Sequence, residues 1–285
     1  MLQGVKIEKK ELEDVLERER SQLDEEDIMD AEDGIARQDK IWTYVMEVAG
    51  VLMRTSGAIA EPKIRSLLLP LYAESFQNFE KSSEDQLLNS LCFMCDVLEF
   101  GSDDLFNFLA PQAQTQIFRA LQGGEVSANM AQTAIFALGV IAYRVPAGSF
   151  DVLEQAVKAV EFVFTQSYEP VDTGKRSTAE DNAVSALAKL VYVHTASNPA
   201  VLTPALINDA FLGKLPLISD NEEGQAVHLL FAQQIIANNA VFAAHAAEVK
   251  AAVARIIQYA TEKPEEEILN DEGKAAFEQV NKLLA

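Results

Sequence analysis

The chain has 285 residues, 49% of them hydrophobic, and a formal net charge of −21 from 44 acidic and 23 basic residues. That apolar content is ample for a folded body, whereas the acidity argues against nucleic acid and anionic membranes, which need clustered Lys and Arg. It favours basic partners, which an acidic surface attracts at low salt, with plain solubility as the competing reading.

Residues 8–33 hold 13 acids and 4 bases, so this stretch alone carries −9 of the −21. It reads as a solvated helix followed by an unstructured acidic linker around Leu23 to Gly34. Residues 1–35 are therefore expected to be an acidic helix and linker, partly disordered.

From Gln38 a single theme recurs. A helix-length apolar stripe, a short polar break and a second stripe repeat about every 45 residues. Gln38 to Ser56 pairs with Pro62 to Phe79, and Glu84 to Phe100 with Ser102 to Leu121. Thr133 to Arg144 is followed by a helix opened at Gly148 and Ser149, with Ser149 as its N-cap. Ala179 to Thr195 pairs with Pro199 to Leu212, and Asn221 to Asn238 with Asn239 to Thr261. Comparable points at Ala49, Met94, Gly139, Ala188 and Ile235 are separated by 45, 45, 49 and 47 residues.

That period suits HEAT or armadillo units, and two helices per unit favour HEAT. The expected fold is all-α, a right-handed α-solenoid of about five HEAT repeats over 36–262. The units fall near 36–81, 82–123, 124–176, 177–215 and 216–262. Residues 263–285 form a capping helix, roughly Glu265 to Leu284, with Ile268, Ala275, Val280 and Leu283 facing the last repeat. Pro62, Pro146, Pro199 and Pro216 mark helix boundaries, and Pro111 should start or kink a helix.

Catalytic chemistry is not expected, nor is any metal or cofactor. Cys92 and Cys95 form a C-x-x-C on an apolar helix, without the βαβ setting of a redox motif or the further ligands of a zinc site, and read as buried core thiols. Gly174 and Lys175 hint at a phosphate loop in the polar stretch Tyr168 to Thr178. Glu169 and Arg176 stand where the Walker pattern needs Gly and Ser or Thr, and no strand precedes. His194, His228 and His245 sit on separate helices without metal-ligand spacing, so packing roles are expected. Trp42 reads as an inter-repeat core residue, with a partner anchor as the alternative. The start of the chain lacks the apolar core of a signal peptide, and no run approaches the ~20 apolar residues of a membrane span. A soluble intracellular protein is expected.

The repeats also carry specific wording. Ala134 to Ala142, A-I-F-A-L-G-V-I-A, resembles the A-x-x-x-L-G-V-x-A run in late repeats of importin-β receptors of the β3, ribosomal-protein-importing kind. Glu180 to Lys189, E-D-N-A-V-S-A-L-A-K, is similar to the T-E-N-A-I-S-A-x-G-K stretch of the next repeat. Leu215, Pro216 and Leu217, then Asp220, Glu222 and Glu223, resemble the L-P-L-x-x-D-x-E-E element after that, and Asp24 to Asp33 matches an acidic segment before them. The order and spacing of all four agree.

The resemblance implies a carboxy-terminal segment of a nuclear import receptor, non-enzymatic, found in cytoplasm and nucleus including the nuclear pore. Implied partners are basic cargo such as ribosomal proteins or histones, phenylalanine-glycine nucleoporins and, in a full-length receptor, the Ran GTPase. The chain has far fewer repeats than such receptors and lacks their amino-terminal arch. Second helices would line the inner, cargo-facing surface. Glu74, Asp104, Glu154, Glu161 and Glu248 are the candidate contact acids there, off or at the margin of the apolar stripes. Two other readings use the same repeats: a HEAT scaffold outside transport, such as a phosphatase or translation-factor platform, and an acidic chaperone for basic proteins.

Overall fold

The computed structural model describes residues 2–122, 126–170 and 175–284. Among these the regular elements are all helical, so the fold is all-α. The chain divides into two compact units, Met1–Phe108 and Leu109–Ala285.

In the first unit α1 (Leu2–Glu19) packs on α2 (Glu25–Lys63). The segment expected to be an unstructured linker is helical from Glu25. Asp24 caps it, accepting the Asp27 N–H at 2.9 Å, and Glu25, Glu26 and Asp27 lie where the helix dipole favours carboxylates. Acidity therefore supports this helix instead of preventing it. Gly34 allows close packing, since a Cβ there would lie 2.8 Å from Leu12 Cδ1. Non-helical dihedrals at Ser56 (φ −144°, ψ 33°) divide α2, so the expected gap from Ser56 to Pro62 is a single residue and Pro62 sits inside a helix.

A π-helical turn Ile64–Leu68 leads into α3 (Leu69–Gln77), and a 3-10 turn Phe79–Lys81 leads to α4 (Glu84–Phe100). The expected bounds of α4 hold because the local chemistry is unambiguous. Ser83 and Gln86 form a reciprocal capping box, and the Gly101 N–H closes the last turn on Val97 O at 2.9 Å. Leu87, Leu91, Met94, Cys95 and Leu98 give α4 its buried stripe, and α2 answers with Met46, Ala49 and Met53.

α5 (Asp103–Leu121) begins in the first unit and ends in the second, and it runs on through Pro111. The expected helix start there is corrected: Pro111 lies inside α5.

The second unit is built on α6 (Ala128–Arg144) and α8 (Thr178–His194), its most closely packed pair. Gly139 sets their approach, because a Cβ there would lie 3.0 Å from Ala186 Cα. Between them, α7 (Leu153–Thr165) starts four residues later than Ser149. Val152 occupies its N-cap without a side-chain bond, while Gly148 (φ +80°) and Ser149 belong to the preceding turn.

After α8 the expected helix from Pro199 is corrected. The chain turns until Thr203, whose hydroxyl accepts the Leu206 N–H at 3.3 Å, and a π-helical segment Leu206–Phe211 and a 3-10 turn Leu212–Lys214 follow. α9 (Asn221–Ile236) ends at Asn238 in a left-handed conformation (φ 54°). The expected helix Asn239 to Thr261 is broken at His245 into α10 (Ala240–Ala244) and α11 (Ala246–Glu262). α12 (Asp271–Leu284) starts later than expected and packs on α9 and α11. Ile268 and Val280 are buried as expected, but Ala275 and Leu283 are exposed and Phe277 takes the inward position.

Candidate protein-binding surface

The first unit carries a cleft of about 420 Å³. Trp42 and Met46 of α2 line it, with Asp14 and Glu17 of α1, Glu74 of α3 and Asn78 at the C-cap of α3. The helical spacing explains the wall: Lys10, Glu13, Asp14 and Glu17 fall on one face of α1, so the exposed Lys10 stands among three carboxylates. Lys9 is 4% exposed, and its ammonium meets Asp39 at 2.5 Å and Glu13 at 3.6 Å. That cation is consumed internally. Carboxylates around a half-buried indole suit a guanidinium or ammonium group, which gains a charged hydrogen bond and a cation–π contact together.

Trp42 is therefore at a cleft wall, half-buried, and not in a closed inter-helix core. Of the five candidate contact acids, Glu74 lines this cleft. Asp104 is exposed in the first turn of α5. Glu154 and Glu161 are exposed two turns apart on α7, and exposed Lys158 falls between them on the same face. Glu248 is half-buried in the first turn of α11. Glu154 also borders a shallow groove with Phe150, Lys158 and Asn198. Sequence reasoning passed over Asp14 and Glu17 because their acidic stretch looked like solvated surface. The available signal was a stripe of acids at helical spacing followed by a helix bearing the chain's one tryptophan.

In the runs 180–189 and 215–223, Asp181, Asn182, Ser185 and Glu223 turn inward, while Glu222 is exposed. Asp181 is fully buried and accepts the Arg176 guanidinium at 2.8 and 3.0 Å. Its other oxygen takes the backbone N–H groups of Ile218 and Ser219 at 2.8 and 2.6 Å. Asn182 donates to Asp220 at 2.8 Å, and Asp220 caps α9 through the Glu223 N–H at 3.1 Å. Glu223 accepts from Ser185 and, at 2.6 Å, from Lys189. Arg255 donates to Leu212 O and Leu215 O, and Arg176 to Pro216 O. The two runs thus clasp each other, and the turn's backbone is satisfied by side chains.

The bases of the loop before α8 are committed as well. Lys175 pairs with Glu266 and Arg176 with Asp181, while Gly174 lies outside the described residues.

Cys95 is buried, and burial first, then the nearby Cys92, pushes its thiol well above the ordinary value. Cys92 is exposed, which corrects the expectation of two core thiols: as the residue after Leu91 it is rotated about 100° past the stripe of Leu87, Leu91, Met94 and Leu98.

All three histidines are buried. His194 Nε2–H donates to Ala142 O at 2.8 Å and its ring stacks on Phe150 at 5.2 Å, and burial lowers its pKa. His228 accepts the Leu217 N–H at Nε2 and donates from Nδ1 to Ile268 O, both at 3.0 Å. Burial lowers its pKa to about 4.

Among the described residues no cluster of three or more His, Cys, Asp or Glu is placed to hold a metal ion, and no helix is long and apolar enough to cross a membrane. Neither the family models nor the curated proteins searched contain a match to this chain.

Proposed function

We propose that the chain is a non-enzymatic protein-binding scaffold, similar to the carboxy-terminal part of an importin-β-type receptor of the β3 kind. It takes basic cargo proteins, such as ribosomal proteins or histones. The observation that carries this reading is the cleft lined by Trp42 together with Asp14 and Glu17, set in a chain of net charge −21.

The finer architecture belongs to the same proposal: a right-handed α-solenoid of about five HEAT-type hairpins. Within each unit the packing supports it, because helices meet near neighbours in sequence: α2 with α4, α6 with α8, α8 with α9. In this reading phenylalanine-glycine nucleoporins and, in a full-length receptor, the Ran GTPase are further partners, and the protein works in cytoplasm and nucleus.

The test is a pull-down of the whole chain against a phenylalanine-glycine repeat peptide and a basic ribosomal-protein tail. Capture of both is expected for a transport receptor. Capture of the basic tail alone favours an acidic chaperone, and capture of neither removes the transport reading.

A further inference from the structure

The carboxylates account for only part of the cleft in the first unit. α4 brings Gln86, Asn89 and Ser90 to it at i, i+3 and i+4, so one face of that helix lines the cleft with two amides and a hydroxyl. Both amides are held at their oxygens. Gln86 Oε1 accepts the Ser83 N–H at 3.1 Å within the capping box, and Asn89 Oδ1 accepts the Thr43 hydroxyl at 3.3 Å. Each amide nitrogen keeps two donors, and among the described residues no group accepts from them. Ser90 is only 4% exposed, yet its hydroxyl lines the cleft and has no hydrogen-bond partner among the described residues. A buried polar group without a partner costs free energy, which a ligand that supplies the partner recovers.

These donors call for an acceptor, and a Lys or Arg side chain has none. A basic side chain held by Asp14, Glu17 and the Trp42 ring therefore leaves α4 unanswered. An anion would supply acceptors, but it is repelled by Asp14 and Glu17 in the same cleft. A peptide carbonyl is a neutral acceptor and belongs to the same molecule as the basic side chain. In a helix that carbonyl is spent on the N–H four residues on, whereas in an extended segment it is open. The spacing agrees. Side chains three apart on a helix stand about 5–6 Å apart, and carbonyls of alternate residues along an extended chain recur about every 6–7 Å.

We propose that the cleft binds an extended, non-helical segment of a basic protein through its main chain. Gln86 and Asn89 donate to carbonyls of alternate residues, Ser90 hydrogen-bonds the same backbone, and a Lys or Arg side chain lies at Asp14 and Glu17. This rests on the reading of the cleft as a receptor for basic partners, and it adds the conformation that the partner must present.

The test is fluorescence anisotropy of the whole chain with one labelled Lys- and Arg-rich peptide in two forms, unconstrained and closed into a helix by a hydrocarbon staple. Charge is the same in both, and only the unconstrained form has open carbonyls in its middle. The unconstrained form is expected to bind at least about tenfold more tightly, the scale of two hydrogen bonds. Asn89→Leu with Ser90→Ala should weaken that form by about tenfold and remove the difference between the two. The dependence on salt should stay as in wild type, because no charge has changed. A thermal melt establishes that the variant folds, and the comparison of the two forms on wild type stands without it. Equal or tighter binding of the stapled form, or an unchanged affinity in the folded variant, overturns the proposal and leaves the cleft a receptor for basic partners. Binding of neither form by wild type, even at low salt, overturns both.

Discussion

The carboxylate of Asp181 accepts the backbone N–H of Ser219 at 2.6 Å, across 38 residues of sequence. The bond fastens α8 to the turn before α9, and its partner oxygen is held by Arg176. Removing the carboxylate takes the charge partner from the Arg176 guanidinium, leaving it the Pro216 O bond, and strands the Ile218 and Ser219 donors. Asp181→Ala should therefore cost about 3–5 kcal/mol, the range for breaking a buried charged pair. Urea unfolding at neutral pH measures it. A loss below about 1 kcal/mol would mean that water replaces the carboxylate and the clasp is peripheral.

Gly139 gives a steric prediction. Valine there meets Ala186 at its backbone, where a Cβ already stands 3.0 Å from Cα and 3.2 Å from Cβ. Overpacking of this kind costs about 1–3 kcal/mol, and α6 and α8 cannot separate without opening the unit's core. A melt of Gly139→Val shifted down, with helicity retained below the transition, is the expected result.

His228 makes stability depend on pH. Its folded pKa is about 4 and its unfolded value is 6.5, so the unfolded chain binds the proton more readily between the two. The contribution is fully present above pH 6.5 and is lost as pH falls toward 4. From pH 7.5 to 5.5 the loss is on the order of 1 kcal/mol by linkage. The measurement is the difference between wild type and His228→Gln in urea at both values, kept above the sequence pI of about 4.5. Wild type should lose more stability than the variant on acidification. A parallel loss in both would place the titration elsewhere.

The sequence was most readable where local chemistry and burial agreed. α4 has its capping box and closing glycine, and α8 has the Ser177–Glu180 capping box before an apolar run, so both lie within a residue of expectation. The helix drawn from Pro199 failed because Thr203 and Pro204, an N-cap followed by proline, were the stronger start signal five residues on. His245 interrupts a stretch whose apolar periodicity gives no warning of a break. The acidic stretch after Leu23 looked unstructured because charge was weighed without Asp24 as a cap.

The candidate acids show the same limit. Alternation of apolar and charged positions finds an outward face, as at Glu154 and Glu161, but which outward faces adjoin is a tertiary fact. Glu74 meets the acids of α1 across a cleft, and no spacing rule connects positions 14 and 74. The runs 180–189 and 215–223 were legible as sequence, yet Asp181, Asn182, Asp220 and Glu223 in them are spent on holding α8 to the turn before α9.

The most direct test of the account is a titration of the whole chain with a fluorescent Lys- and Arg-rich tail peptide, compared with Asp14→Asn, Glu17→Gln in one variant. Saturable binding that weakens with salt and falls at least about tenfold in the variant is predicted, since the removed carboxylates carry the attraction. Equal binding by variant and wild type, or none even at low salt, would contradict the acidic cleft as a receptor for basic partners.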